Sequence, residues 1–181
     1  MPVNPLDKFR FVGAVEDDTL PQETTEKEVP KEVQDGTSLS DKLQTLLCDI
    51  ATFYHFVHES HWNVRGDNFY EYHKFFDEIV SDTYDSIDPI AENIRKLGKN
   101  PAYRMSELVK GSTLKEPTGD DNGTELLAKN VASLNQQIVN ILKSVFDTAN
   151  EVNEQGVANF IAERIDMHQK WQWFLDSSIG T

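Results

Sequence analysis

The 181-residue chain is long enough to bury one sizeable core and still leave a remainder for an extension. Its formal net charge of −14 at pH 7 argues against a polyanionic partner and for solubility or the handling of cations. A lone cysteine, Cys48, excludes a disulfide framework, and neither a membrane-length apolar run nor a signal-peptide core is present, so the expectation is a soluble, cytoplasmic protein.

Residues 1–38 stand apart as an acidic N-terminal extension, with four basic against nine acidic side chains. Phe9, Phe11, Val12 and Val15 form a small apolar cluster around Lys8 and Arg10. From Glu16 to Gly36 the composition is that of a solvated linker or extended arm. Two readings stay open: a disordered tail, or a docking peptide for a protein partner at residues 5–15 carried on a polar tether.

Residues 39–181 carry helical periodicity on either side of one long connection. Ser40 is placed to cap the first long helix, whose stripe runs through Leu43, Leu46, Leu47, Ile50, Phe53, Tyr54 and Val57. Cys48 sits in this run as a small core residue. Near the helix end, His55, His58 and His61 follow at three-residue steps. The second helix begins at Asn68, repeats through Phe69, Tyr72, Phe76, Ile79, Val80, Ile87, Ile90 and Ile94, and closes at Leu97-Gly98. Pro89 inside it either sets the angle of the neighbouring Asp88 carboxylate or only bends the helix. Residues 99–122 form a long connection containing a short amphipathic piece from Arg104 to Val109. Thr124 is placed to cap a third long helix with Leu127, Val131, Leu134, Ile138, Leu142 and Val145 on one side, and a fourth runs from Val157 to about Ser177. The pattern contains no nucleotide loop and no zinc-type cysteine spacing.

The segment from His61 to Glu92 concentrates the chemistry. His61, His73, Asp77, Asp88 and Glu92 are all good ligands for a hard or borderline metal. On one helix His73 and Asp77 are i,i+4 neighbours, as are Asp88 and Glu92. Eleven residues, close to three turns, separate Asp77 from Asp88, so both pairs share a stripe but lie about 16 Å apart along the axis, too far to share an ion. Two copies of the helix, antiparallel about a two-fold axis, would bring His73 and Asp77 of one beside Asp88 and Glu92 of the other. Spacing therefore puts the site between subunits, twice per dimer. No Glu-x-x-His pair occurs, which speaks against a di-iron site inside one bundle.

His61-Trp62, a His twelve residues on at His73, Asp77 four further, then Asp88-Pro89-Ile90-Ala91-Glu92 resemble the ferroxidase motif of the Dps family, the DNA-protection-during-starvation mini-ferritins. Similarity runs from about Ser40 to the end and includes the tail from Glu163 to Trp173. The resemblance implies an all-α, ferritin-like four-helix bundle whose long crossover holds a short helix. Two-fold dimers would assemble into a hollow cage of twelve subunits. It implies oxidation of Fe(II), preferably by hydrogen peroxide, with Fe(III) kept as mineral and oxidative damage thereby limited. Asp88 and Glu92 of one subunit with His61 of its partner would hold the tighter iron, and His73 and Asp77 of that partner the weaker one. Trp62 is either a sink for stray oxidising equivalents or a packing aromatic. Iron entry in such a cage is expected near the connection between the third and fourth long helices, where Asp147, Glu151 and Glu154 are candidates. The rival expectation is a structural cage that coats DNA or joins a larger assembly through its arm, with the iron site secondary. DNA binding in the family commonly uses a Lys/Arg-rich arm, and this arm is acidic.

Overall fold

Residues 37–118 and 123–180 are described by the structure, a computed structural model. The described chain is helical in five segments: α1 Leu39–Asn63, α2 Phe69–Lys96, α3 Met105–Gly111, α4 Thr124–Glu151 and α5 Gln155–Ile179. The docking peptide at residues 5–15, and most of the extension, lie outside the described residues.

Helix boundaries depart from the sequence expectation by small, explicable steps. Ser38, not Ser40, caps α1, its hydroxyl accepting from the Asp41 amide at 3.3 Å. Leu39 is buried and belongs to the core, which draws the helix start two residues earlier and leaves Ser40 buried in the first turn. Thr124 is likewise inside α4, with Gly123 at the cap. At the other end of α2 the expectation holds: Gly98 turns left-handed at φ 81°, and the Lys99 amide reaches back to the Ile94 carbonyl at 3.2 Å. The helix continues unbroken through Pro89.

Cross-helix contacts set the direction of each element. Ring contacts pair His61 with His73 and Tyr54 with Tyr84, so α1 and α2 are antiparallel. Lys42 reaches Ser144, and Arg65 bridges to Gly123, so α1 and α4 are antiparallel too. It follows that α2 and α4 run parallel, which the long crossover allows. Arg164 pairs with Asp82, and Phe174 with Phe75, closing α5 against α2. Between the four long helices lie Phe53, Phe76, Ile79, Leu134, Ile138 and Ile161, all fully buried. Each such side chain contributes roughly 1.5–3 kcal/mol. A surface pair such as Lys129 with Glu125 contributes about 0.3–0.5 kcal/mol. Burial of the stripes therefore dominates the stability of the bundle.

The crossover is pinned by one buried charge. Asp49 of α1 accepts from Ser112 Oγ at 2.8 Å, the Thr113 amide at 2.5 Å, Thr113 Oγ1 at 3.0 Å and the Leu114 amide at 3.2 Å. Just before this anchor, Gly111 passes so close to Cys48 that a Cβ there would meet Sγ at 2.7 Å. A larger residue there would force the Cys48 side chain to shift. A second polar contact lies in the core, where Asn135 Nδ2 donates to the His168 carbonyl at 2.8 Å and to Gln172 Oε1 at 2.9 Å. Asn135 Oδ1 is then the acceptor for His168 Nδ1–H at 2.7 Å. Burial, with the Arg164 charge adding to it, holds the His168 pKa well below its ordinary value. No described helix is long and apolar enough to cross a membrane.

Candidate metal centre

The α1–α2 hairpin positions both candidate histidines. Gly66 at φ 111° and Asn68 at φ 56° turn the chain tightly between the helices, and the Thr124 amide holds the turn at the Arg65 carbonyl. His61 thereby falls in the last turn of α1, opposite His73 in α2. Their rings stack at 3.9 Å between centroids with 20° between planes. Each ring is held by the other residue's main chain: His61 Nδ1 donates to the His73 carbonyl at 2.8 Å, and His73 Nδ1 donates to the His61 carbonyl at 2.9 Å.

The local sequence explains why this lock can form. A helix leaves its last four carbonyls without intrahelical partners, and the His61 carbonyl is one of them. The His73 carbonyl lies inside a helix, where its second lone pair can still accept. Because a carbonyl oxygen only accepts, the proton must sit on Nδ1 in both neutral rings. Each Nε2 is then a bare lone pair. This is the tautomer a metal-binding imidazole needs, with its orientation fixed by a main-chain partner.

The carboxylates extend the same face along α2. Asp77, Asp88 and Glu92 are exposed, and among the described residues none of them makes a hydrogen bond or salt bridge. They are free to take a cation. In one chain, however, no three His, Cys, Asp or Glu among the described residues stand close enough to share an ion. The structure thus brings His61 and His73 together and leaves the Asp88–Glu92 pair remote, as the axial spacing requires. Trp62 is 66% exposed, so it is not a packing aromatic within this chain, and its ring lies 4.2 Å from that of His58. Burial, with His61 and His55 adding to it and Asp77 opposing, lowers the His58 pKa. Asp147, Glu151 and Glu154 are all exposed, on the last turns of α4 and the turn that follows.

Tyr54 and Tyr84 stand beside the site outside the ligand motif. Tyr54 lies against both His58 and Tyr84, joining the histidine cluster to α2. The spacing of Tyr54, His58 and Trp62, four residues apart on one helix, was the available signal. An open apolar groove flanks them, lined in part by Leu47, Ala51, Ala91, Met105 and Leu108.

Comparison with known proteins agrees with this architecture. The ferritin-like domain family model matches residues 40–181. An uncharacterized protein of Haemophilus influenzae is 30% identical over 146 residues, covering 81% of this chain and 91% of its own length. The DNA protection during starvation protein of Helicobacter pylori is 27% identical over 138 residues, covering 76% of this chain and 96% of its own. Among solved structures, the Dps protein of Vibrio cholerae, described as a member of a broad superfamily of ferritin-like diiron-carboxylate proteins, superposes with a TM-score of 0.74. It is 26% identical and covers 78% of this chain and 88% of its own.

Proposed function

Because the chain belongs to the Dps family of ferritin-like proteins, we propose that it oxidises Fe(II) at sites shared between two copies and stores the Fe(III) as mineral within a cage. The observation that carries this reading is the reciprocal lock of His61 and His73. It presents two Nε2 lone pairs on the helix face that also bears Asp77, Asp88 and Glu92.

Iron here is substrate. A second copy, antiparallel about a two-fold axis, supplies the missing carboxylates. Asp88 and Glu92 of one copy with His61 of the other hold one Fe(II), and His73 and Asp77 hold the second. The apolar groove beside Tyr54 and His55, with exposed Met105 and Tyr103 at its rim, is the surface such a pairing would cover. Hydrogen peroxide takes one electron from each of two Fe(II), its O–O bond breaks, and two hydroxides form. No hydroxyl radical is released, because both electrons arrive at one site. The carboxylates offset the charge gained as Fe(II) becomes Fe(III).

Residues 39–181 constitute the bundle domain in this proposal, residues 1–38 its extension, and twelve copies, as six two-fold dimers, its cage in the cytoplasm. Asp147, Glu151 and Glu154 are the proposed iron-entry carboxylates. The acidic balance of chain and arm speaks against a DNA-coating role.

Native mass spectrometry with an iron titration, beside Fe(II) oxidation driven by peroxide, tests the reading. Twelve subunits with two Fe(II) per inter-subunit site, oxidised at two iron per peroxide, is the expected result. A monomer, or an assembly that leaves the peroxide reaction at its rate in buffer, would overturn it. A mobility shift on DNA at low salt, without iron oxidation, would favour the structural cage instead.

A further inference from the structure

The reciprocal lock fixes only part of each imidazole's orientation. A hydrogen bond at Nδ1 holds that nitrogen in place, but the ring can still tilt about the line of the bond and carry Nε2 sideways. We propose that Phe69 is a positioning residue for His73, its ring supplying the second constraint that aims His73 Nε2 at the second Fe(II) position. This rests on the assignment of the iron site to His61 and His73.

His73 stands between two rings. Phe69 lies 5.2 Å from it between centroids, with 27° between planes, and His61 lies 3.9 Å away at 20°. Phe69 and His61 do not touch each other, so they take opposite faces of the imidazole. Offset, near-parallel stacking is an arrangement aromatic rings favour. His73 therefore cannot tilt to either side without losing a contact. His61 has no equivalent brace. Beyond His73 its ring meets that of His58, at 6.1 Å and a tilt of 44°. Phe69 supports one ligand and not the other.

The local sequence builds this contact. Phe69 and His73 are four residues apart on α2, and helical side chains lean towards the N-terminus, so the His73 ring lies over the turn that Phe69 begins. Phe69 opens the helix directly after Asn68, which turns left-handed at φ 56° and makes no side-chain cap. Its side chain remains 45% exposed, and among the described residues His73 is the one ring it touches. An aromatic that keeps this much of its surface outside the core adds little to the burial that holds the bundle together. What it contacts is the ligand.

The asymmetry makes the consequence specific. His73 and Asp77 serve the second Fe(II), while His61 serves the first with the carboxylates of the other copy. Loss of the Phe69 plane should therefore weaken one position of each site and spare the other.

The test titrates the assembled full-length protein with Co(II), whose visible absorption reports its ligands and which stands in for Fe(II) without oxidation in air-free buffer. Phe69→Leu keeps an apolar side chain without a plane, Phe69→Tyr keeps the plane, and His73→Ala marks complete loss of the second position. Wild type and Phe69→Tyr should take two Co(II) per inter-subunit site in two steps. Phe69→Leu should keep the first step and bind the second about tenfold more weakly, the lower end of what a lost supporting partner costs a metal ligand. Helix content and cage mass should stay at wild type, and Phe69→Met repeats the comparison if Phe69→Leu does not assemble. A second step of wild-type affinity in the variant without a plane, equal weakening of both steps, or a Phe69→Tyr as weak as Phe69→Leu overturns the bracing role and leaves the iron site standing. Wild-type protein that binds no Co(II) through His61 and His73 overturns both.

Discussion

His61 and His73 are locked to one another through main-chain carbonyls, so neither depends on the other's side chain for its orientation. His61→Ala therefore removes one ligand while leaving His73 with its acceptor. Asp88→Ala removes an exposed carboxylate that makes no hydrogen bond or ion pair among the described residues. Loss of a single supporting partner of a metal ligand already costs up to about 100-fold. Each substitution should lower peroxide-driven Fe(II) oxidation at least on that order while helix content by circular dichroism and cage mass stay at wild type. Wild-type rates in His61→Ala/Asp88→Ala would remove these residues from the site.

The location of the site between copies has its own test. His61→Ala/His73→Ala chains lack one half of every site, and Asp88→Ala/Glu92→Ala chains lack the other. About 16 Å separates the two ligand pairs of α2 along its axis. Unfolding the two inactive variants together and refolding them should recover activity, since a mixed two-fold pair has one intact site and one that keeps only Asp77. Mixed cages verified by mass that stay inactive would place all the ligands in one chain.

Asp49 carries the next prediction. Asp49→Ala deletes the acceptor for Ser112, Thr113 and Leu114 and leaves two backbone amides of the crossover without it. The donors are partly exposed and recover water in its place, so the loss is that of the net hydrogen bonds. The variant should lose on the order of 1–3 kcal/mol of stability. The sign to look for is local as well: amide exchange over residues 111–114 should accelerate before that of α4 and α5. An unchanged melting temperature would mean that the crossover is held by its apolar contacts alone.

How far the sequence foretold this molecule depends on the range of the interaction involved. The offsets from His61 to Glu92 are local, and helical geometry alone sorts them into two remote pairs. The stripes from Leu43 to Leu175 similarly read out the four long helices, because burial follows the periodicity. Ser38 and Ser40 are both good caps, so only the burial of Leu39 decides between them. The imidazole lock was not legible, since it depends on the turn through Gly66 and Asn68 bringing two backbones together. Nor was Asp49, whose partners lie more than sixty residues away. A carboxylate inside an apolar helical stripe was the only local sign of it.

His168 makes the bundle sensitive to acid. It is fully buried, donates from Nδ1 to Asn135, and has no hydrogen-bond partner for Nε2 among the described residues. Its rings of contact are Phe53 on α1 and Trp171 one turn along α5. The charged groups nearby are Arg164, which repels a proton, and Asp82, which Arg164 already pairs. Burial thus depresses the folded-state pKa, and the unfolded chain, with its histidine near 6.5, takes up the proton first. The stability tied to keeping His168 neutral is therefore fully present above about pH 6.5 and declines as the pH falls below it, by up to about 1.4 kcal/mol per pH unit. The decline ends only when the folded protein itself protonates. His168→Leu removes the titration while retaining an apolar side chain of similar size, at the cost of an unpaired Asn135 oxygen. The variant is expected to be less stable than wild type at pH 7.5 but to lose less on acidification, so that the gap narrows between pH 6.5 and 5. Urea unfolding of both proteins across that range measures it, and the comparison cancels the carboxylates and the other histidines, which titrate in both. Parallel stability curves for the two proteins would show that His168 carries no acid sensitivity.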